Sequence, residues 1–156
     1  MDPRTMVELL RSYKTFFDRS TACLTEEDSS FAPVEGLRSV AQMVAHVAQT
    51  VDWFMEGAFL PEGFDMDFEK QEKKTSAVTS LAAARAWLDR SFAAAEEVIL
   101  KHTAAEWAQP LPATTVMGGA PRFSILGGIN DHTAHHRGAL GVYARLRGRQ
   151  PAMPYM

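Results

Sequence analysis

Four long stretches of this chain are sparse in proline and glycine, and each repeats its apolar side chains at steps of three and four residues. That spacing matches the turn of a helix and not the alternation of a strand. In the first stretch, residues 4–23, Met6, Leu9, Leu10, Tyr13, Phe16, Phe17 and Ser20 form one face. The second starts at Ser39 and ends near Gly57, with Val40, Val44, Val47, Val51, Phe54 and Met55 on its face. Ser39 and Gln42 have capping-box spacing, in which the serine oxygen takes a first-turn amide and the glutamine reaches back. The third runs from near Ser76 to about His102 on Leu81, Ala84, Trp87, Leu88, Phe92, Ala95, Val98 and Ile99. The fourth is expected to be capped by Ser124, to run to Arg147 and to stop at Gly148, with Pro151 and Pro154 barring its continuation. Four such helices, without paired strands or a fixed repeat, predict an all-α chain built as a four-helix bundle.

The connections carry expectations of their own. Residues 59–68 contain Phe59, Phe64 and Phe68, too much aromatic surface for a plain linker. Patching of the bundle core is the first reading; a lid or wall over a pocket, joined by Trp53, or a subunit contact is the second. Between Ala108 and Phe123 lie Pro110, Pro112, Pro121 and the pair Gly118-Gly119, with Thr114-Thr115-Val116-Met117 able to form a short extended piece.

Composition narrows the class. At 156 residues, one domain over residues 1–156 is expected, large enough to fold without disulfides or metal. A formal charge of -3 argues against a nucleic-acid partner, which needs a strong positive field. Cys23 is the sole cysteine, so an intrachain disulfide, a CxxC redox pair and a thiolate zinc cluster are all excluded. The start, Met1-Asp2-Pro3-Arg4, lacks the order of a signal peptide, and no apolar run is long enough for a membrane span. A cytoplasmic protein acting on a small molecule, without membrane or nucleic acid, is the expectation.

The histidines bear on function. Three of the five fall in Asp131-His132-Thr133-Ala134-His135-His136-Arg137-Gly138. With Ile125 as origin and about 100° per residue, Tyr143 returns to about 0° and Ile129 to about +40°. His132 then lies at about -20° and His136 at about +20°, in the apolar stripe, while His135 lies at about -80° and Arg137 at about +120°. Two inward imidazoles at i and i+4 are costly to bury unless both rings find partners. A divalent cation is one partner for both, as in helical HxxxH zinc sites; side chains or water are the other, and the two readings weigh equally here. His132 and His135 form a weaker i,i+3 pair. Further ligands from a facing helix have His46, Asp52, Glu56, Glu96, Glu97 and His102 as candidates. His46 falls at the edge of its helix's apolar face, about -120° from Val40, so periodicity does not select it. His102 ends a helix and reads as structural or exposed. Glu-x-x-His, HExxH, GxxxxGK[ST] and GxGxxG are all missing. That argues against the carboxylate-bridged di-iron bundle and removes the common zinc-protease pattern and the usual phosphate-binding loops. Arg137 is expected in a surface salt bridge rather than on an anion, and Gly138 and Gly141 where helices approach closely.

Two segments together resemble the DinB-like (DNA-damage-inducible, YfiT-like) metalloenzymes. Arg38-Ser39-Val40-Ala41-Gln42-Met43-Val44-Ala45-His46-Val47 is similar to the family's Ser-initiated second helix with one ligand histidine. Asn130-Asp131-His132-Thr133-Ala134-His135-His136-Arg137-Gly138-Ala139-Leu140 is similar to its HxxxHRGQ helix, with Ala139 where the family often has glutamine. The close, Arg147-Gly148-Arg149-Gln150-Pro151-Ala152-Met153-Pro154, also resembles the family's. The resemblance implies a four-helix bundle of unusual helix order, a homodimer, and His46, His132 and His136 as three metal ligands. It also implies thiol-dependent S-transfer or isomerisation, since characterised relatives include such enzymes.

Three neutral imidazoles leave a coordination position open, the pattern of a catalytic site. All-imidazole ligation suits zinc or nickel first, with iron and copper also accommodated. The leading expectation is therefore a divalent-metal-dependent transferase using a low-molecular-weight thiol. Hydrolysis by metal-bound hydroxide, with Asp131, Glu56 or Asp52 as base, is one alternative. A non-enzymatic stress protein that binds metal or a small ligand is the other.

Overall fold

A computed structural model describes residues 1–112 and 116–156. Among these residues the chain is all-helical, with α1 (Pro3–Thr21), α2 (Val40–Gly57), α3 (Phe68–Ser76), α4 (Leu81–Lys101), α5 (Ala104–Ala108) and α6 (Ile125–Leu146). The four long helices pack in a closed ring: α1 against α4 and α6, and α2 against the same two. The consecutive helices α1 and α2 therefore face each other across the ring. None of the helices is long and apolar enough to cross a membrane.

Local chemistry sets the helix ends. Asp2 accepts the amides of Arg4 and Thr5 at the start of α1, where Pro3 needs no partner for its nitrogen. Ser39 and Gln42 make the expected capping box at α2. Ser124 precedes α6 without a side-chain cap, because a 3₁₀ turn over Arg122–Ser124 already leads into the helix. Gly148, at φ +70°, ends α6. Its amide reaches Arg145 O at 2.9 Å and that of Arg149 reaches Ala144 O at 2.8 Å, the Schellman pattern that satisfies the last carbonyls.

Two helices lie outside the four expected. α3 has no apolar stripe and buries only Thr75; Asp67 caps it, and it lies on α2. α5 is one turn, held by a Thr103–Glu106 capping box and anchored by Trp107. The aromatic loop patches the core at Phe64, which sits 4.7 Å from the Trp53 ring and 5.9 Å from that of Phe54. Phe59 stacks on His102 at 3.9 Å, while Phe68 is exposed. Thr114 and Thr115 fall outside the described residues, and Val116 and Met117 lie in a turn.

Close helix approach occurs at Gly128, not at the two glycines expected. A Cβ there would meet the Phe54 ring of α2 at 2.6 Å, whereas Gly138 faces open space. Gly141 has only ordinary contacts with Arg145 and Pro151. Absence of a side chain at Gly128 therefore lets α6 lie against α2 one turn before the histidines begin.

The chain's end is tied back by a buried charge. Asp28 is fully buried and accepts from the Thr25 amide, Arg147 Nε at 2.9 Å and Arg149 Nε at 2.5 Å. Burial alone would raise its carboxyl, but the Thr25 amide and the two guanidinium groups outweigh it and hold it at about 2. The unfolded chain binds the proton more readily, so this contribution is complete above the ordinary carboxylate range and disappears as pH falls from about 4 to about 2. With the part-exposed arginines screened by solvent, it amounts to about 1–2 kcal/mol. Urea unfolding of wild type and Asp28→Asn at matched pH should show the difference between them shrinking across that window.

Candidate metal centre

The geometry of α2 and α6 brings together three histidines. His46 Nε2 lies 3.1 Å from His132 Nε2, and His136 Nε2 lies 3.2 Å from the same atom. All three donor atoms fall within 4.8 Å of one another. His132 and His136 share a face because they are one helical turn apart. His46 arrives from the facing helix, which the capping box and the Gly128 approach hold in place.

Burial on α6 extends the expected stripe to one side. Tyr143, Ile125, Ile129, Leu140, Thr133, Leu126 and Ala144 are buried and span about 0° to about +100°, so His136 at about +20° falls within the buried face and His132 at about -20° lies at its edge. Both are half-buried. The site thus sits where the core meets accessible space, suited to a group that must exchange with solvent.

Of the other candidates for a facing ligand, none joins the cluster. Asp52 accepts the Trp87 indole N–H at 2.8 Å, Glu96 pairs with Arg11 at 2.6 Å, and Glu56 and Glu97 are exposed. His102 lies against Phe59 and contacts Glu106 at 3.2 Å, the structural role expected. His135 is exposed, and its ring stands beside that of His136 without entering the cluster. Arg137 lies over the rings of Phe16 and Tyr155 at 5.9 and 5.8 Å, in place of the expected salt bridge.

Two residues not picked out beforehand stand at the site. Thr50 donates to His46 O at 2.9 Å, and its oxygen lies 3.3 Å from His132 Nε2. Thr50 is one turn beyond His46, so the sequence signal was its spacing alone. Arg38, just before the α2 cap, contributes positive charge at all three rings.

Electrostatics keep the rings neutral. Burial first, then Arg38 and His136, pushes His46 down to about 4. Burial, then His46, His135 and Arg38, pushes His132 to about 3; burial, then His132, His135 and Arg38, does the same to His136. Near pH 7 each ring therefore has a free lone pair.

The donor set fits a cation. Nitrogens bound at about 2.0–2.1 Å to one tetrahedral zinc stand about 3.3 Å apart, close to the 3.1 and 3.2 Å by which His132 Nε2 is separated from its two neighbours. His132 Nε2 faces two other ring nitrogens at once, and the single N–H of a neutral imidazole cannot satisfy both, whereas a cation between them can. Among the described residues the cluster consists of imidazoles alone, which leaves room for an exogenous ligand.

A cavity of about 460 Å³ opens beside His136, lined also by Arg38, Met43, Glu72, Ala139 and Tyr143. Trp53 and the phenylalanines do not wall it. Ala139 presents only a methyl group there, where the family resemblance leads one to look for an amide.

No curated protein matches this chain. The family described as the DinB superfamily matches it over residues 9–140, a span that includes all three histidines and both helices that carry them. The chain belongs to the DinB superfamily.

Proposed function

We propose that this chain is a divalent-metal-dependent enzyme of the thiol-transferase kind. His46, His132 and His136 hold the metal, and a low-molecular-weight thiol is the co-substrate. The convergence of the three Nε2 atoms carries this reading. A bound divalent metal lowers the pKa of a thiol or water in its open position and so supplies a nucleophile at neutral pH.

The chain's own groups prepare that position. Burial holds the rings neutral, so protons do not compete with the metal near pH 7. Thr50 commits its proton to the His46 carbonyl, leaving oxygen lone pairs that can accept a hydrogen bond from an arriving thiol or water. The neighbouring cavity gives a small molecule a place to lie against His136. Cys23 is not needed, because the thiol is brought in.

The test is loss of free thiol against a panel of electrophiles, with zinc-loaded, nickel-loaded and metal-free protein. Consumption should require metal and stop with His46→Ala. No metal-dependent consumption across the panel would overturn the transferase reading, and ester turnover without thiol would replace it with hydrolysis.

A further inference from the structure

The cavity beside the histidines contains an unusual donor. Arg38 Nε is buried and has no hydrogen-bond acceptor, although Arg38 Nη2 pairs with Glu72. A buried N–H without a partner is a feature that folding disfavours, so a small movement of this guanidinium toward an acceptor in the cavity is favoured. The Tyr143 hydroxyl donates to Arg38 O at 3.3 Å, which fixes the backbone that presents the guanidinium. Met43 and Ala139 add apolar surface to the lining.

Charge points the same way. Neutral imidazoles leave both charges of a divalent cation uncompensated, and Arg38 adds a third. Among the described residues that line the cavity, Glu72 is the one carboxylate. Its side chain is half-exposed, and its pairing with Arg38 is of the surface kind that an incoming anion can displace or share. A neutral ligand would leave the excess positive charge and the Nε donor unanswered.

We infer that this cavity seats a small organic carboxylate, received by the guanidinium of Arg38 while the reacting atom lies toward His136. The inference rests on the metal-site reading for where the reacting atom lies. The carboxylate belongs either to the thiol or to the acceptor of its sulfur. Arg38 acts on binding and is a specificity-determining residue.

Calorimetry on zinc-loaded protein tests this without turnover. One pair of probes is 3-mercaptopropionate and 2-mercaptoethanol; the other is butyrate and 1-butanol, titrated with 2-mercaptoethanol already bound. Wild type should favour the charged member of one pair by about tenfold or more, the scale of a charge-assisted hydrogen bond. Preference in the first pair assigns the carboxylate to the thiol, and in the second to the acceptor. Arg38→Gln should level the pair with zinc content unchanged, and Glu72→Gln should widen it by removing the competing carboxylate. Equal affinities in both pairs would overturn the inference. So would a preference that survives Arg38→Gln, since the carboxylate would then be bound by the metal. Should Arg38→Gln lose zinc or helix, Glu72→Gln decides: wider preference supports the inference, and unchanged or narrower preference overturns it. Absence of thiol transfer would sink the reaction and leave this preference standing, and the reverse also holds.

Discussion

The His132→Ala chain is expected to purify without metal and still to be helical. His132 is the central ring of the cluster, in contact with both other donor atoms. Removing it leaves His46 and His136 as a pair. Loss of an outer partner of a metal ligand already weakens binding about 10–100-fold, and loss of a ligand itself should exceed that. The fold should survive, because the ring lies on the shoulder of α6 and alanine favours helix. Metal-free variant should therefore melt close to metal-free wild type. The difference appears on adding zinc. Wild type gains about 4 kcal/mol at a thousandfold excess over its Kd, and the variant gains little. Elemental analysis with paired melting curves measures both effects. His135→Ala is the control, exposed and outside the cluster, and should keep its metal. Acid sharpens the contrast. Because burial first, with neighbouring positive charge, lowers all three rings, proton competition for the metal should begin well below the ordinary histidine range.

Of the long helices, α1, α4 and α6 were legible because each meets the core along one stripe. The α2 capping box could be read off Ser39 and Gln42, and the close of α6 off Gly148. α3 was not legible in the same way: Phe68-Glu69-Lys70-Gln71-Glu72-Lys73-Lys74-Thr75-Ser76 has no apolar face, and its place depends on a cap at Asp67 and contact with α2. α5 does carry a signal in the sequence, the Thr103–Glu106 spacing of a capping box. His46 was obscure for a different reason. Ala45, Val47, Ala48, Val51 and Met43 are buried on several sides of α2, because α4, α6 and α3 all pack on it, so a single stripe does not describe this helix. The family resemblance singled out His46; contact with α6 explains why it faces His132. Arg38 and Thr50 needed coordinates, since their relevance is a distance across helices and not a spacing along one.

Stability should depend most on a residue remote from the metal. Trp107 is the largest fully buried side chain, on the one-turn helix α5. Its indole N–H donates to Ile99 O at 3.1 Å, one of the carbonyls that the end of α4 leaves open. Its ring meets Phe59 edge-on at 4.9 Å, and Arg122 lies over the same phenylalanine. Arg122 in turn donates to Ala58 O at 2.9 Å and Glu106 O at 3.1 Å, so the end of α2, α5 and the turn before α6 are joined around this ring. Trp107→Ala should cost about 3–5 kcal/mol, from lost burial and the cavity left behind. For a chain of this size that lowers Tm by on the order of 10 °C. Trp107→Phe keeps most of the apolar area and leaves the Ile99 carbonyl without its donor, a loss nearer about 1–2 kcal/mol. Calorimetric melting of the metal-free proteins measures both, and a Trp107→Ala loss below that of Trp107→Phe would refute the anchoring role. The folded fraction of Trp107→Ala should still bind zinc with wild-type stoichiometry, because the indole engages Phe59, His102 and Ile99 while the metal cluster is His46, His132 and His136. A variant that keeps its metal but loses stability, set beside one that keeps its fold but loses metal, would separate the scaffold of this chain from its site.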